Sequence, residues 1–458
     1  MAPAPQPGNA HQAARPHSAS NAPVSSINEW SRTTMFSVDS TNTSLTEDRA
    51  FNIATKFLTG VIRLDVEEEH FEVLIDSGIF IKFSQVDADH PADIVFSGSR
   101  EAWTNVLARK RPPGYQGILY NDGRSGISYT ADTVTMGAFS RAILEMERVL
   151  RDEFTGRQQV AIPHEVDRDF DASVGRYVYL RVQGVQYRVY FEESGTGSVP
   201  LLFQHSAGAD GRQARRFLED PEMQKRFRMI SYDLPFHGKS LPPESQRWWE
   251  TEFKLTREFL LEFILGLCSK LDIDRAAFIG SAIGGLLALD LAYFHPDTFR
   301  AVIALNASSK PYFEEKHRDK LSTYSDPRIG NQWTSSQMVA NMASTTPEAD
   351  RREGGWVYSQ AGQDATEGAL NYYANSYDLS ASQIAAIDTS KTSVYLFTGE
   401  DDFMGTEYGT DSLAAEVPGL RYEKLRHLGH FGVAENAPQL KEDLWPTLLE
   451  ICASPRFA

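Results

Sequence analysis

Residues 278 to 285 read Phe278-Ile279-Gly280-Ser281-Ala282-Ile283-Gly284-Gly285, an apolar strand that runs into a Gly-x-Ala-x-Gly turn and then the helical run Leu286 to Tyr293. This is the strand-turn-helix of a nucleophile elbow, with alanine where a reactive serine would stand. Strand and helix approach closely in such a turn and the central residue is strained, so glycine is needed two places before and two places after it. Gly280 and Gly284 meet that demand. The Ala282 methyl satisfies the sterics but has no oxygen with which to attack a carbonyl. Further along, the runs Gly399-Glu-Asp-Asp402 and Leu428-Gly-His430-Phe place acids and an imidazole downstream of the elbow, in the order nucleophile, acid, base. An isolated Asp among acids is usually a solvated loop and a lone His usually structural. Ser281 is a poor substitute nucleophile, because its own flanks two residues away are Ile279 and Ile283.

The elements that must hold these residues begin near Tyr177. A hairpin is expected over Tyr177–Val182 and Val185–Glu193, followed by strands at Val199–Gln204, Phe227–Tyr232, Ala276–Gly280, Arg300–Asn306, Ser393–Thr398 and Leu420–Leu425. Helices fall between them, notably Glu252–Leu271 and Ile283–Phe294, so the fold class is α/β, with a mostly parallel sheet covered on both faces. Residues 308–386 break the rhythm and read as a helical cap rich in aromatics and methionine: Trp333, Met338, Met342, Trp356, Tyr358, Tyr372, Tyr373 and Tyr377. Such spacing usually marks core contacts, although a cap also presents a face to the cleft.

Upstream, residues 1–47 read as a disordered Ala/Pro/Ser/Asn-rich tail, residues 48–152 as a smaller α+β domain, and 153–176 as a polar linker. Within the α+β domain, a short helix is expected over Ala50–Gly60 and strands at His70–Ile75, Gly78–Phe83, Tyr115–Tyr120 and Gly126–Thr130. Ser99 should cap a helix through Trp103 and Leu107, and Ala138, Ile143, Met146 and Leu150 mark a closing helix. The run from Ala92 to Trp103, with the helix and glycine-bearing strands after it, resembles domains of the sterol carrier protein type two kind in layout. Those domains often enclose an apolar tunnel, but with no catalytic constellation in the stretch an independently folding structural or dimerising module is the preferred expectation.

At 458 residues the chain is longer than one core usually serves. A net charge of −17 without a dense Lys/Arg stripe argues against nucleic acid as a partner. Cys268 and Cys452 supply neither a disulfide framework nor a metal motif, and no cofactor is expected. The N-terminus contains no apolar run long enough for a signal peptide and nothing later approaches a membrane span, so the expectation is an intracellular, cytoplasmic protein. The expected partner is a small hydrophobic substrate, with a homodimer open as the assembly.

Together with Tyr232-Asp-Leu-Pro-Phe-His-Gly-Lys-Ser240 after the fourth strand of the larger domain, the elbow, the Gly399 run and the Gly429-His430 pair resemble the α/β-hydrolase superfamily, over about residues 177 to 454. The resemblance implies Asp402, not Asp401 or Glu400, as the acid, and His430, not His427, as the base. It implies oxyanion donors at Ile283 and in the loop Gln204-His205-Ser206-Ala207-Gly208, with Ala207 the expected donor and Ser206 its near rival. Asp233 and His237 are expected to be structural. Gly208, Gly211 and Gly238 make no phosphate-binding fingerprint. His205, Ser281, Trp333, Trp356, Tyr358 and Tyr373 are the expected substrate-contacting residues.

Three readings of Ala282 follow. The preferred one is a serine hydrolase acting on a hydrophobic ester, lactone or diketone, present as a nucleophile-to-Ala inactive form. The second is an enzyme using His430 and Asp402 without a covalent intermediate, as a lyase, cyclase or cofactor-free oxygenase would. The third is a ligand-binding protein that has lost catalysis.

Overall fold

The computed structural model describes residues 34–119, 125–157, 160, 162, 167–309, 321–402 and 410–454. The expected disordered tail up to residue 33, part of the linker and the early part of the cap, 310–320, lie outside the described residues.

Two sheets organise the chain from Phe36 onward. The first has five strands, β1 (Gly60–Val66), β2 (Glu69–Asp76), β3 (Ile79–Gln85), β4 (Ile94–Gly98) and β5 (Ile127–Thr130), in the order β3-β2-β1-β4-β5. Alternation in β1 sends Ile62, Leu64 and Val66 into the core, with Leu64 in register with Phe71 on β2 and Phe96 on β4. Ser99 caps its helix as expected, its hydroxyl accepting the Ala102 N–H at 3.1 Å. The helix Thr133–Thr155 closes the domain, capped by Asp132.

Two expectations for this region need correction. Residues Val38–Glu47, assigned to the disordered tail, form a helix. Its composition is polar, but Leu45 is fully buried, Phe36 just before it packs edge-on against Phe71, and Asn42 both donates to and accepts from the Phe83 backbone. Tertiary contacts, not periodicity, order it. Residues 115–119 do not form a strand: Ile118 N–H is taken by the buried Glu147 carboxylate at 2.8 Å and Gln116 reaches out of the domain, so no ladder partner is left for the segment.

The second sheet has eight strands: β6 (Val174–Val182), β7 (Val185–Ser194), β8 (Val199–Gln204), β9 (Phe227–Tyr232), β10 (Ala276–Ser281), β11 (Phe299–Leu305), β12 (Ser393–Gly399) and β13 (Arg421–Leu425). Their order is β13-β12-β11-β10-β8-β9-β7-β6; the β6–β7 hairpin at one edge is antiparallel, β7 pairs antiparallel with β9, and β13 to β9 pair in parallel. β10 lies at the centre with all six residues buried, as a strand covered on both faces must be. The helix expected over Glu252–Leu271 begins only at Arg257, because Thr256 is the cap that accepts the Phe259 N–H. The helix Ile283–Phe294 has the expected bounds.

The cap segment between β11 and β12 contains helices Gly330–Ala340, Glu348–Tyr358 and Ala365–Asn371, the last running into a π turn over Tyr372–Ser376. The N-terminal domain does not stand apart from it. Ser140 and Ser336 share a hydrogen bond of 2.9 Å, Gln332 donates to the Gly137 carbonyl at 3.1 Å, and Arg352 pairs with Glu145.

Candidate active site

β10 delivers the chain into the turn at Ala282, whose backbone is held at φ 53°, ψ −109°. A non-glycine residue there is strained by roughly 1–3 kcal/mol, and the surroundings must enforce it. They do so through the glycines: a Cβ on Gly280 would overlap the Gly284 carbonyl, and one on Gly284 would come within 2.7 Å of the Gln204 side chain. Ala282 N–H is tied to the Leu305 carbonyl at 3.1 Å, and its own carbonyl starts the following helix by accepting from Leu286.

His430 Nδ1 lies 2.9 Å from Asp402 Oδ1, with both side chains nearly excluded from solvent. A carboxylate in that position fixes the imidazole with Nδ1 protonated, leaving Nε2 as the basic nitrogen. The rival residues go elsewhere: His427 is half exposed and pairs with Glu400 at 3.1 Å. Asp401 is turned into a separate environment, where burial and the Glu400 charge raise its pKa to about 6.

The loop after β8 distinguishes the two expected oxyanion donors. Ser206 N–H is already donated to Gln213 Oε1 at 2.9 Å, which removes Ser206 as a donor. Among the described residues the Ala207 amide has no partner, and Ile283 N–H is one of those a helix leaves unpaired at its first turn. Tyr358 braces this loop: its hydroxyl is 2.5 Å from Ser206 Oγ and accepts from Gln213 Nε2 at 2.9 Å, and its ring meets Phe431 edge-on beside His430.

The other expected substrate-contacting residues are placed as follows. His205 Nδ1 donates to the Ser206 carbonyl at 2.9 Å while Nε2 accepts Leu234 N–H at 3.1 Å, so both ring nitrogens are used in holding two loops together. Burial lowers its pKa, which keeps it neutral in that role. Ser281 is buried within β10. Trp356 is 65% exposed and faces the N-terminal domain instead of the elbow, because it lies on the opposite side of its helix from Tyr358. Trp333 is half-buried on the helix Gly330–Ala340. Tyr373 is buried close to Asp402, and burial together with that charge raises its phenol pKa. Asp233 accepts Gly211 N–H at 2.8 Å and Lys239 N–H at 2.7 Å, the loop-fixing part expected of it.

Two residues that sequence reasoning missed hold His430 in place. Glu435, fully buried, accepts Gly429 N–H at 2.7 Å and Phe431 N–H at 2.8 Å, one on each side of the imidazole, and reaches the cap at Ala343 N–H, 3.2 Å away. Asn306, at φ 57° after β11, donates to the His430 carbonyl at 2.7 Å and accepts Gly399 N–H at 3.0 Å, joining the acid and base loops. Neither carries a motif. Among the described residues no group of three or more His, Cys, Asp or Glu could hold a metal ion, and no helix is long and apolar enough to cross a membrane.

A family model described as alpha/beta hydrolase fold matches residues 199–437, just over half of the chain, a span that includes Ala282, Asp402 and His430. The chain belongs to the alpha/beta hydrolase fold family. Among its relatives, Bifunctional epoxide hydrolase 2 of Rattus norvegicus is 28% identical over 248 residues, 53% of this chain and 39% of that protein. The 2-hydroxymuconate semialdehyde hydrolase of Pseudomonas sp. (strain CF600) is 28% identical over 122 residues, 26% of this chain and 40% of that one. The chain thus spans well under half the length of these curated relatives. The same alpha/beta hydrolase fold is seen in a thermophilic esterase from Thermogutta terrifontis, with TM-score 0.53, 18% identity and coverage of 61% of this chain and all of that one. An enol-lactonase from Burkholderia xenovorans LB400 gives TM-score 0.51, 21% identity, and coverage of 60% and 100%.

Proposed function

We propose that the chain carries the binding and acid–base machinery of a hydrolase for a hydrophobic ester, lactone or diketone, with the covalent nucleophile's place occupied by Ala282. The observation that carries this reading is the buried His430–Asp402 pair downstream of a turn that keeps the strained geometry of a nucleophile position around a methyl group. In the serine-bearing counterpart, His430 Nε2 would take the hydroxyl proton as oxygen bonds to the substrate carbonyl carbon. Ile283 and Ala207 amides would stabilise the oxyanion, and the imidazolium would return the proton to the leaving group. Asp402 would hold the tautomer and the cation. The present chain would bind the carbonyl compound and turn it over poorly, since only the oxyanion donors and positioning remain.

The substrate class is supported by a relative whose name is that of a semialdehyde hydrolase. A second reading is favoured by one observation, the occurrence of alanine itself beside an intact His–Asp pair: His430 would then act as general base directly on a bound substrate or water, with no acyl-enzyme. The deciding experiment compares the parent and Ala282→Ser on p-nitrophenyl esters of increasing chain length. Ester cleavage gained only with serine supports the first reading, and turnover by the parent that serine does not improve supports the second.

A further inference from the structure

A cleft of about 1530 Å³ runs between the helix Thr133–Thr155, the loop around Arg111 and Gln116, and the cap helices Gly330–Ala340 and Glu348–Tyr358. That exceeds the roughly 300–1,000 Å³ of ordinary small-molecule sites. Although the chain is acidic, this wall is rich in arginine. Some of those arginines are matched: Arg148 has Asp48, Glu145 and Asp152, and Arg352 has Glu145 and Glu348.

Arg111, Arg151 and Arg351 are not matched in this way. Arg111 and Arg151 share one carboxylate, Glu147, at 3.1 and 3.5 Å, and that carboxylate also accepts Ile118 N–H. Arg351 spends its two terminal nitrogens on the carbonyls of Val339 and Ala343, at 2.9 and 2.6 Å, and stands 3.9 Å from Glu348. Arg111 and Arg151 share Glu147 and Arg351 stands beside Glu348, so three guanidinium groups meet two carboxylates and one positive charge is left over, in a place where Arg111 is buried and its Nε has no partner. Burial, reinforced by the Arg151 and Arg351 charges, holds the Arg111 pKa well below its ordinary value, and burial lowers that of Arg351 as well. Burying like charges together is costly unless an anion joins them. Guanidinium forks are the side chains best suited to the oxygens of a phosphoryl group.

We propose that this cleft binds a soluble phosphate monoester, its dianion seated on Arg111, Arg151 and Arg351 and its organic part lying along Val339, Ala340 and Trp356. Arg109, Lys110, Arg141 and Arg157 also line the cleft and add the positive charge that a phosphate dianion needs, the volume leaves room for a substantial organic group, and Trp356 offers an exposed aromatic face on the same wall. The site is separate from the elbow and is independent of the hydrolytic reading. Its floor nevertheless touches the acid and base loops, through Gln116 to Asp401 and through Ala343 to Glu435.

The test is calorimetric titration of the full chain with phenyl phosphate, inorganic phosphate and phenol. Phenyl phosphate should bind saturably and more tightly than phosphate, phenol should not bind, and the complex should melt higher than the free protein. Arg151→Ala should weaken binding about ten- to a hundredfold, the scale of a lost charge-assisted hydrogen bond, and Arg351→Gln should do the same. Arg328→Ala, on an exposed arginine paired with Asp326 away from the cleft, should bind like the parent. Arg151 is only half-buried, so its variant keeps the test decisive if Arg351→Gln does not fold. Absence of saturable binding at millimolar phenyl phosphate, or unchanged affinity in Arg151→Ala, overturns the proposal.

Discussion

Gln116 donates from Nε2 to the carbonyl of Asp401, 2.9 Å away, so a residue of the N-terminal domain holds the backbone immediately before Asp402. The contact joins positions 285 apart in sequence. It makes the N-terminal domain part of the support for the acid loop, where a detached module would contribute nothing. Measured in the Ala282→Ser background, Gln116→Ala is expected to lower kcat/KM by about three- to tenfold, the scale of one hydrogen bond's net worth. Unchanged kinetics would show that the acid loop needs no such brace.

Glu435 presents a second dependence of this kind. Its two carboxylate oxygens accept the amides on either side of His430, so Glu435→Gln replaces one acceptor with an NH2 group facing another N–H. Chemical unfolding should show a loss of about 1–3 kcal/mol, the cost of leaving a buried donor unpaired. A variant as stable as the parent would contradict the geometry.

Tyr358→Phe removes the hydroxyl shared with Ser206 and Gln213 while keeping the ring against Phe431. Because that hydroxyl orders the loop carrying the Ala207 amide, the Ala282→Ser protein should lose about 1–2 kcal/mol of transition-state stabilisation, in kcat more than in KM. A change confined to KM would mean that Tyr358 contacts substrate instead of bracing the loop.

Asp401 gives the pH prediction. Its pKa rises on folding to about 6, because burial and the neighbouring Glu400 disfavour its charge. Between about pH 4 and pH 6 the unfolded chain has released this proton while the native state retains it, so this group's contribution lowers stability as pH rises through that window. Asp401→Asn should remove this slope and be more stable than the parent above pH 6 by about 1–2 kcal/mol. Parallel stability curves for parent and variant from pH 4 to pH 7 would refute the assignment.

What could be read in advance follows from the range of the interactions. The turn at Ala282 was legible because Gly280 and Gly284 answer to steric demands within five residues, and the contact between Asp402 and His430 because the resemblance to the α/β-hydrolase superfamily pairs these two positions. Glu435, Asn306 and Gln116 were not, since each acts on backbone amides or carbonyls brought near only by the finished sheet, and a lone Glu, Asn or Gln carries no local signature. The helix Val38–Glu47 was hidden for a related reason: Leu45 and Phe36 are ordered by partners on the first sheet, not by an apolar stripe of their own. Trp356 and Tyr358 are both cap aromatics in the sequence, but two positions apart on a helix point to different faces, and one meets the cleft while the other meets the loop after β8.

The central claim is that Ala282 stands at a nucleophile position whose supporting chemistry is complete. It is tested most directly by intact-protein mass spectrometry of Ala282→Ser after incubation with an alkyl fluorophosphonate, followed by peptide mapping. A single covalent adduct is expected on the serine introduced at 282, absent from the parent and slowed by roughly 10³-fold or more when His430→Ala is added. No adduct at residue 282 in a folded Ala282→Ser protein, or labelling that persists at full rate without His430, would contradict it.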